Sequence, residues 1–107
     1  MQEQRINKLL DFLSQDPNDA FLKYALATEY FSMENYIKAL HYFDDLVTHH
    51  PDYVGTYYHL GKLYLILNRK IDALKIFEKG IQIAKKERDN HALAELQSVY
   101  NELIFEE

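Results

Sequence analysis

Apolar residues recur three and four positions apart along almost the whole chain, which predicts helices throughout. Glycine and proline number only three and two, so little interrupts that spacing, and strands find no support. Polar clusters break the pattern at 15–19, at Glu34 and Asn35, at 49–52, at Asn68 and Arg69, and at 88–90, each able to cap a helix or to end one. Five breaks predict six helices: 3–14, 18–32, 36–49, 52–67, 70–87 and a sixth within 87–107. The first is amphipathic, with Ile6, Leu9, Leu10 and Leu13 on one stripe and Gln4, Arg5, Lys8 and Asp11 toward water.

The helices repeat. At an offset of 34 residues Leu26, Ala27 and Tyr30 recur as Leu60, Gly61 and Tyr64, Ala39 and Phe43 recur as Ala73 and Phe77, and Pro17 is followed by Pro51. Helices two and three then form one hairpin unit and helices four and five a second. The first helix takes the place of the second helix of an earlier repeat, with Leu9 at the position of Phe43 and Phe77. Strict spacing would put Ala94 and Ser98 at the positions of Leu60 and Tyr64, whereas two further residues give Leu96 and Tyr100. A two-residue insertion near 85–90 is therefore expected, with a fifth helix longer than the third. The sixth helix then turns Leu93, Leu96, Val99, Tyr100 and Leu103 inward and Gln97, Asn101 and Glu102 outward. The expected organisation is one domain over 1–107: a capping helix (1–16), repeat one (17–50), repeat two (51–86) and a second capping helix (87–107). Polar outer faces on the end helices are what a short, complete stack needs for solubility.

Composition narrows the function. The 107 residues are 48% hydrophobic and 27% charged, a globular balance with enough length for a core. The absence of cysteine removes disulfides, cysteine nucleophiles and thiolate metal sites, and fits a cytoplasmic location. A formal net charge of −5 argues against a nucleic-acid partner. The one basic cluster, Lys85, Lys86 and Arg88, is interrupted by Glu87 and Asp89 and reads as a solvated helix end. No stretch has the length of a signal peptide's apolar region or of a membrane span, so no membrane partner is expected.

Tyr57, Leu60, Gly61, Tyr64, Ala73 and Phe77 resemble the tetratricopeptide repeat, whose signature runs W-x2-L-G-x2-Y, then A-x3-F, then P. Tyrosine replaces the tryptophan, and Lys85 stands at the final proline. In the first repeat Lys23, Leu26, Ala27, Tyr30, Ala39, Phe43 and Pro51 occupy the same places, with a lysine where an aromatic is expected and Tyr24 beside it. The resemblance implies an all-α, right-handed α-solenoid of antiparallel helix hairpins. Physically, Ala27 or Gly61 should face Ala39 or Ala73 where the paired helices approach closely, with Tyr30, Phe43, Tyr64 and Phe77 filling the space alongside.

The resemblance also implies a non-catalytic module that binds a protein or peptide in a concave groove lined by the first helix of each repeat. Carried onto this chain, the groove is Phe21, Tyr24, Thr28 and Phe31, then Tyr58, Lys62, Leu65 and Ile66, then His91 with Ala94 and Ser98. It is apolar and rich in tyrosine, so an apolar or amphipathic segment suits it. The lysine, asparagine and arginine clamp with which some family members hold a terminal carboxylate is missing, the matching positions being Tyr24, Thr28 and His59. The fourth helix is apolar nearly all round, which two readings explain: burial by neighbours on both sides, or a patch that meets a partner or a second copy. Lys62 could anchor a ligand carboxylate, reach solvent or pair with an acid.

Catalytic patterns are missing: there is no glycine-rich phosphate loop, H-E-x-x-H or nucleophile elbow, and no cofactor is implied. His41, Asp45 and His49 lie four apart on the third helix, a column with the spacing of a metal site. The register places it on the outer face, where solvated polar residues are the rule, so no metal is expected there. His50 and Pro51 read as the following turn.

Overall fold

The computed structural model describes residues 2–106. These hold six helices: α1 (Gln2–Gln15), α2 (Ala20–Ser32), α3 (Tyr36–His49), α4 (Gly55–Ile66), α5 (Lys70–Glu87) and α6 (Asn90–Ile104). Two starts differ by two residues or more from the reading of the pattern. Helix α2 begins at Ala20 because Asp19 is its cap, its carboxylate accepting from the Leu22 N–H at 2.9 Å. Helix α4 begins three residues later than expected, because Pro51 to Val54 form a turn in which the Tyr53 N–H donates to the His50 carbonyl. Helix α5 is longer than α3, 18 residues against 14, as the insertion requires.

Three helices stop in the same way. Glu34, Asn68 and Arg88 adopt the left-handed conformation with φ of 60°, 60° and 58°. After each, the next residue's N–H reaches back five residues: Asn35 to Tyr30, Arg69 to Tyr64 and Asp89 to Ala84. This wrapped end satisfies carbonyls that a helix terminus otherwise leaves open. Glycine usually holds such a position, because an L side chain there crowds the carbonyl; here none of the three is glycine.

The chain divides into two compact units, Met1–Tyr53 and Val54–Glu107. In the first, α2 packs against α3 and also against α1. Leu26, Ala27, Ala39, Phe43 and Leu46 are fully buried, and Tyr30 nearly so. Helix α1 contributes Ile6, while Leu9 is only half-buried and Leu10 lies at the exposed edge. The position matching Phe43 therefore carries less of the core than expected. Across the α1–α2 contact, Arg5 donates to Glu29 at 2.7 Å and Gln2 to Ser32 at 2.6 Å.

In the second unit α5 lies between α4 and α6, and α4 also touches α6. Tyr57, Leu60, Leu63, Ala73, Phe77, Ala84 and Leu96 are buried. Gly61 meets the Phe77 ring, which a Cβ on Gly61 would clash with. Gly80 admits Tyr57 in the same way: a Cβ added there would stand 2.5 Å from the tyrosine Cβ. Tyr64, expected in the core, is half-buried with the Arg69 guanidinium 4.5 Å from its ring centre. In α6, Leu96 and Leu103 are buried, Leu93, Val99 and Tyr100 are half-buried, and Gln97, Asn101 and Glu102 face water, as the shifted register requires.

Candidate functional site

Within the first unit, α2 presents Phe21, Tyr24, Thr28 and Phe31. Phe21 is exposed and the other three are half-buried. Tyr24 packs on Tyr53, with ring centres 5.3 Å apart. Phe31 lies edge-on to Tyr36 and Phe43, at 5.9 and 6.5 Å, so part of it serves the hairpin. The Thr28 hydroxyl donates to the Ala25 carbonyl at 3.1 Å. The helix carries two charged side chains, Lys23 and Glu29. Glu29 is held by Arg5, so the open part of α2 is aromatic and aliphatic.

Within the second unit, α4 presents Tyr58 and Leu65 half-buried and Lys62 and Ile66 exposed. Lys62, the one Lys, Arg, Asp or Glu of α4, places its ammonium 5.6 Å from the centre of the Tyr58 ring. A cation over a ring face is held electrostatically, but its charge stays open to an incoming anion. His91 on α6 is exposed, as are Ala94 and Ser98. Tyr24 and Tyr58 stand 34 residues apart, as do Phe31 and Leu65, so equivalent positions in the two units leave the same kind of side chain half-open.

Sequence reasoning marked Lys23 as a departure from the repeat pattern without finding its role. Its residue is 5% exposed, and its ammonium donates to Asp45 Oδ1 at 3.1 Å and lies 3.4 Å from His50 Nε2. A lysine so placed needs a partner to offset lost hydration, and Asp45 supplies it. The signal was in the sequence: Lys23 is in register with Tyr57, Asp45 with Lys79 and Leu46 with Gly80. One repeat fits a ring beside a glycine, and the other an ion pair beside a leucine.

The same pair engages one member of the His41, Asp45 and His49 column. Asp45 lies 3.8 Å from His49 but is taken by Lys23, and the His41 ring instead lies edge-on to Tyr42 at 5.0 Å. Among the described residues no group of three or more histidine, cysteine or acidic side chains could hold a metal ion. Nor is any described helix long and apolar enough to cross a membrane.

Comparisons with known proteins bear on the family and the fold. The family described as anaphase-promoting complex, cyclosome, subunit 3 matches residues 4–80. A crystal structure of a tetratricopeptide repeat domain protein from Salinibacter ruber is 45% identical, spans 83% of this chain and 99% of that one, and superposes with a TM-score of 0.80. A solution structure of a tetratricopeptide repeat domain protein from the same organism is 46% identical over 81% of this chain and 88% of that one, with a TM-score of 0.77. A Bordetella parapertussis protein shares the fold at 23% identity, covering 92% of this chain and 86% of that one, with a TM-score of 0.79. No curated protein matches the chain.

Proposed function

Since the chain belongs to the tetratricopeptide-repeat family, we propose that it is a non-catalytic adaptor whose first-helix faces hold an apolar or amphipathic segment of another protein. The family's fold commonly mediates protein–protein interaction, and its members are generally scaffolds rather than enzymes. The observation that carries the reading is the recurrence of half-open aromatic and aliphatic side chains at equivalent positions of α2 and α4: Tyr24 with Tyr58, and Phe31 with Leu65. A core needs such residues closed, whereas a binding face needs them reachable. Tyrosine suits this use because its ring contributes a large contact area at small entropic cost while the hydroxyl stays available for a hydrogen bond.

The ligand follows from what the face lacks. Lys23 and Glu29 are engaged within their own unit, which leaves Lys62 as the charge on these two helices best placed to meet a ligand. A segment with several apolar side chains and one acidic group fits that set, and a highly charged tail does not. The matched family is named for a subunit of a multi-protein complex, which supports a role in holding proteins together.

The test is to select binders from a random peptide library with the wild-type chain and titrate them calorimetrically against Tyr24→Ala, Tyr58→Ala and Lys62→Glu, each first verified as folded by circular dichroism. Apolar or amphipathic peptides whose affinity falls roughly ten-fold or more in the tyrosine variants are expected. Peptides that bind all variants equally would place the binding face elsewhere.

A further inference from the structure

At the end of α6 the chain leaves an aromatic ring in water. Leu103 is buried, but Phe105, whose N–H closes the helix by donating to the Asn101 carbonyl, is 81% exposed. Beside it, in the same unit, an open cavity of about 380 Å³ is lined by Leu65, Asn68, Lys70, Leu103 and Glu106. Leu65 and Leu103 give it an apolar side, Asn68, Lys70 and Glu106 a polar rim, and the left-handed turn at Asn68 passes along it. In size alone it exceeds the roughly 150 Å³ in which benzene is held, so a phenyl ring fits against its leucine side. Two of its lining residues, Leu103 and Glu106, flank Phe105 in sequence, yet the chain's own ring stays outside.

We propose that the second unit is a self-association surface, on which two copies meet about a two-fold axis and each inserts Phe105 into the other's cavity. A two-fold contact uses one patch twice, so knob and socket must lie side by side on the same surface, as they do here. The rim obeys the same requirement. Lys70 and Glu106 lie 3.7 Å apart with side chains 45% and 61% exposed, a loose pair within one chain. Across a two-fold axis each can turn to the opposite residue of the other copy, which gives two ion pairs of matching geometry. A foreign partner would have to bring an apolar anchor, a cation and an anion in the right arrangement, and a second copy supplies all three by symmetry.

One ring and its surroundings bury less than the roughly 1,200 Å² of a stable interface, so the dimer should exchange rapidly and form only at high concentration. Sedimentation equilibrium of the full chain between about 20 μM and 1 mM should show a rising dimer fraction. Phe105→Ser, which alters an exposed side chain outside the groove set, should weaken association roughly ten-fold or more. The decisive arm is charge exchange. Lys70→Glu and Glu106→Lys should each dimerise poorly alone, since like charges then face across the axis, while an equimolar mixture of the two should associate at least as well as wild type. Only pairing between chains gives that pattern. A wild type that stays monomeric over the range, an unaffected Phe105→Ser, or a mixture no better than either variant alone would overturn the proposal.

Discussion

Lys23 is a residue whose value depends on its neighbour. With Asp45 present it is a satisfied ammonium, and without it a stranded charge. Asp45→Ala should therefore destabilise the chain by about 2 kcal/mol, less than the roughly 3–5 of a wholly buried pair because the Asp45 side chain keeps 27% of its surface in water. Lys23→Met, which removes the charge and keeps the volume, should be near neutral. Urea unfolding of both variants tests the contrast, and equal losses would contradict it. The tyrosines give a second reading at this scale. Tyr42 is held above the ordinary phenol range by burial, then by Tyr30 and Asp45; Tyr53 by burial, then by Asp19; and Tyr100 by its 2.6 Å hydrogen bond to Glu78. A phenol raised in the folded state favours folding while protonated, so this contribution is complete below about pH 10 and is lost as pH rises through the raised values. In ultraviolet titration these three should ionise later than free tyrosine, with Tyr100 shifting back in Glu78→Gln.

The helix ends show what a sequence can and cannot reveal about an element. Breaks at Glu34, Asn68 and Arg88 were legible because polar residues interrupt an apolar period, and α3 and α5 begin and end where that period does. Their left-handed geometry was not legible, because its usual marker, glycine, is absent from all three positions. The start of α4 was hidden for a similar reason: Val54 caps it without a side-chain hydrogen bond, so no serine, threonine or acid announced it. Facing contacts were partly legible. The small residue at position 61 foretold close approach, but only three dimensions show that Phe77 approaches there, and that Gly80 gives Tyr57 the same room. Glu34→Gly should stabilise the chain by up to about 1 kcal/mol by relieving left-handed strain, and Asn68→Gly should help less, since asparagine tolerates that conformation. Thermal melts check the order, and a destabilised Glu34→Gly would count against it.

For the whole molecule, the repeat fixes where damage is felt. Phe43 and Phe77 occupy the same place in different units and are both fully buried. Truncating either to alanine should cost about 3–5 kcal/mol, a large share of a small domain's stability. Repeat arrays sum local and nearest-neighbour terms, so the losses should be uneven. In Phe43→Ala, amide hydrogen exchange should accelerate first in α2 and α3, and in Phe77→Ala first in α4 and α5. Uniform acceleration in both variants would mean that the units open only together. Charge divides along the same line: residues 1–53 hold four basic and nine acidic side chains, residues 54–107 eight of each. The composition of the α2 and α4 faces was legible in the sequence through the repeat register. The cavity beside Phe105 was not, since its lining comes from two separated stretches of chain, 65–70 and 103–106.

The exchange of Tyr57 and Gly80 for Lys23 and Leu46 limits how such a chain can be cut and rejoined. A crossover in the loop between the helices of one hairpin would join a tyrosine from one repeat to the leucine of the other, or a lysine to a glycine beside the wrong charge. A crossover in the turn at 50–53 would carry each matched set across whole. Duplication or shuffling of this protein is thus tolerated by whole hairpins and penalised by single helices, which makes the hairpin its unit of inheritance.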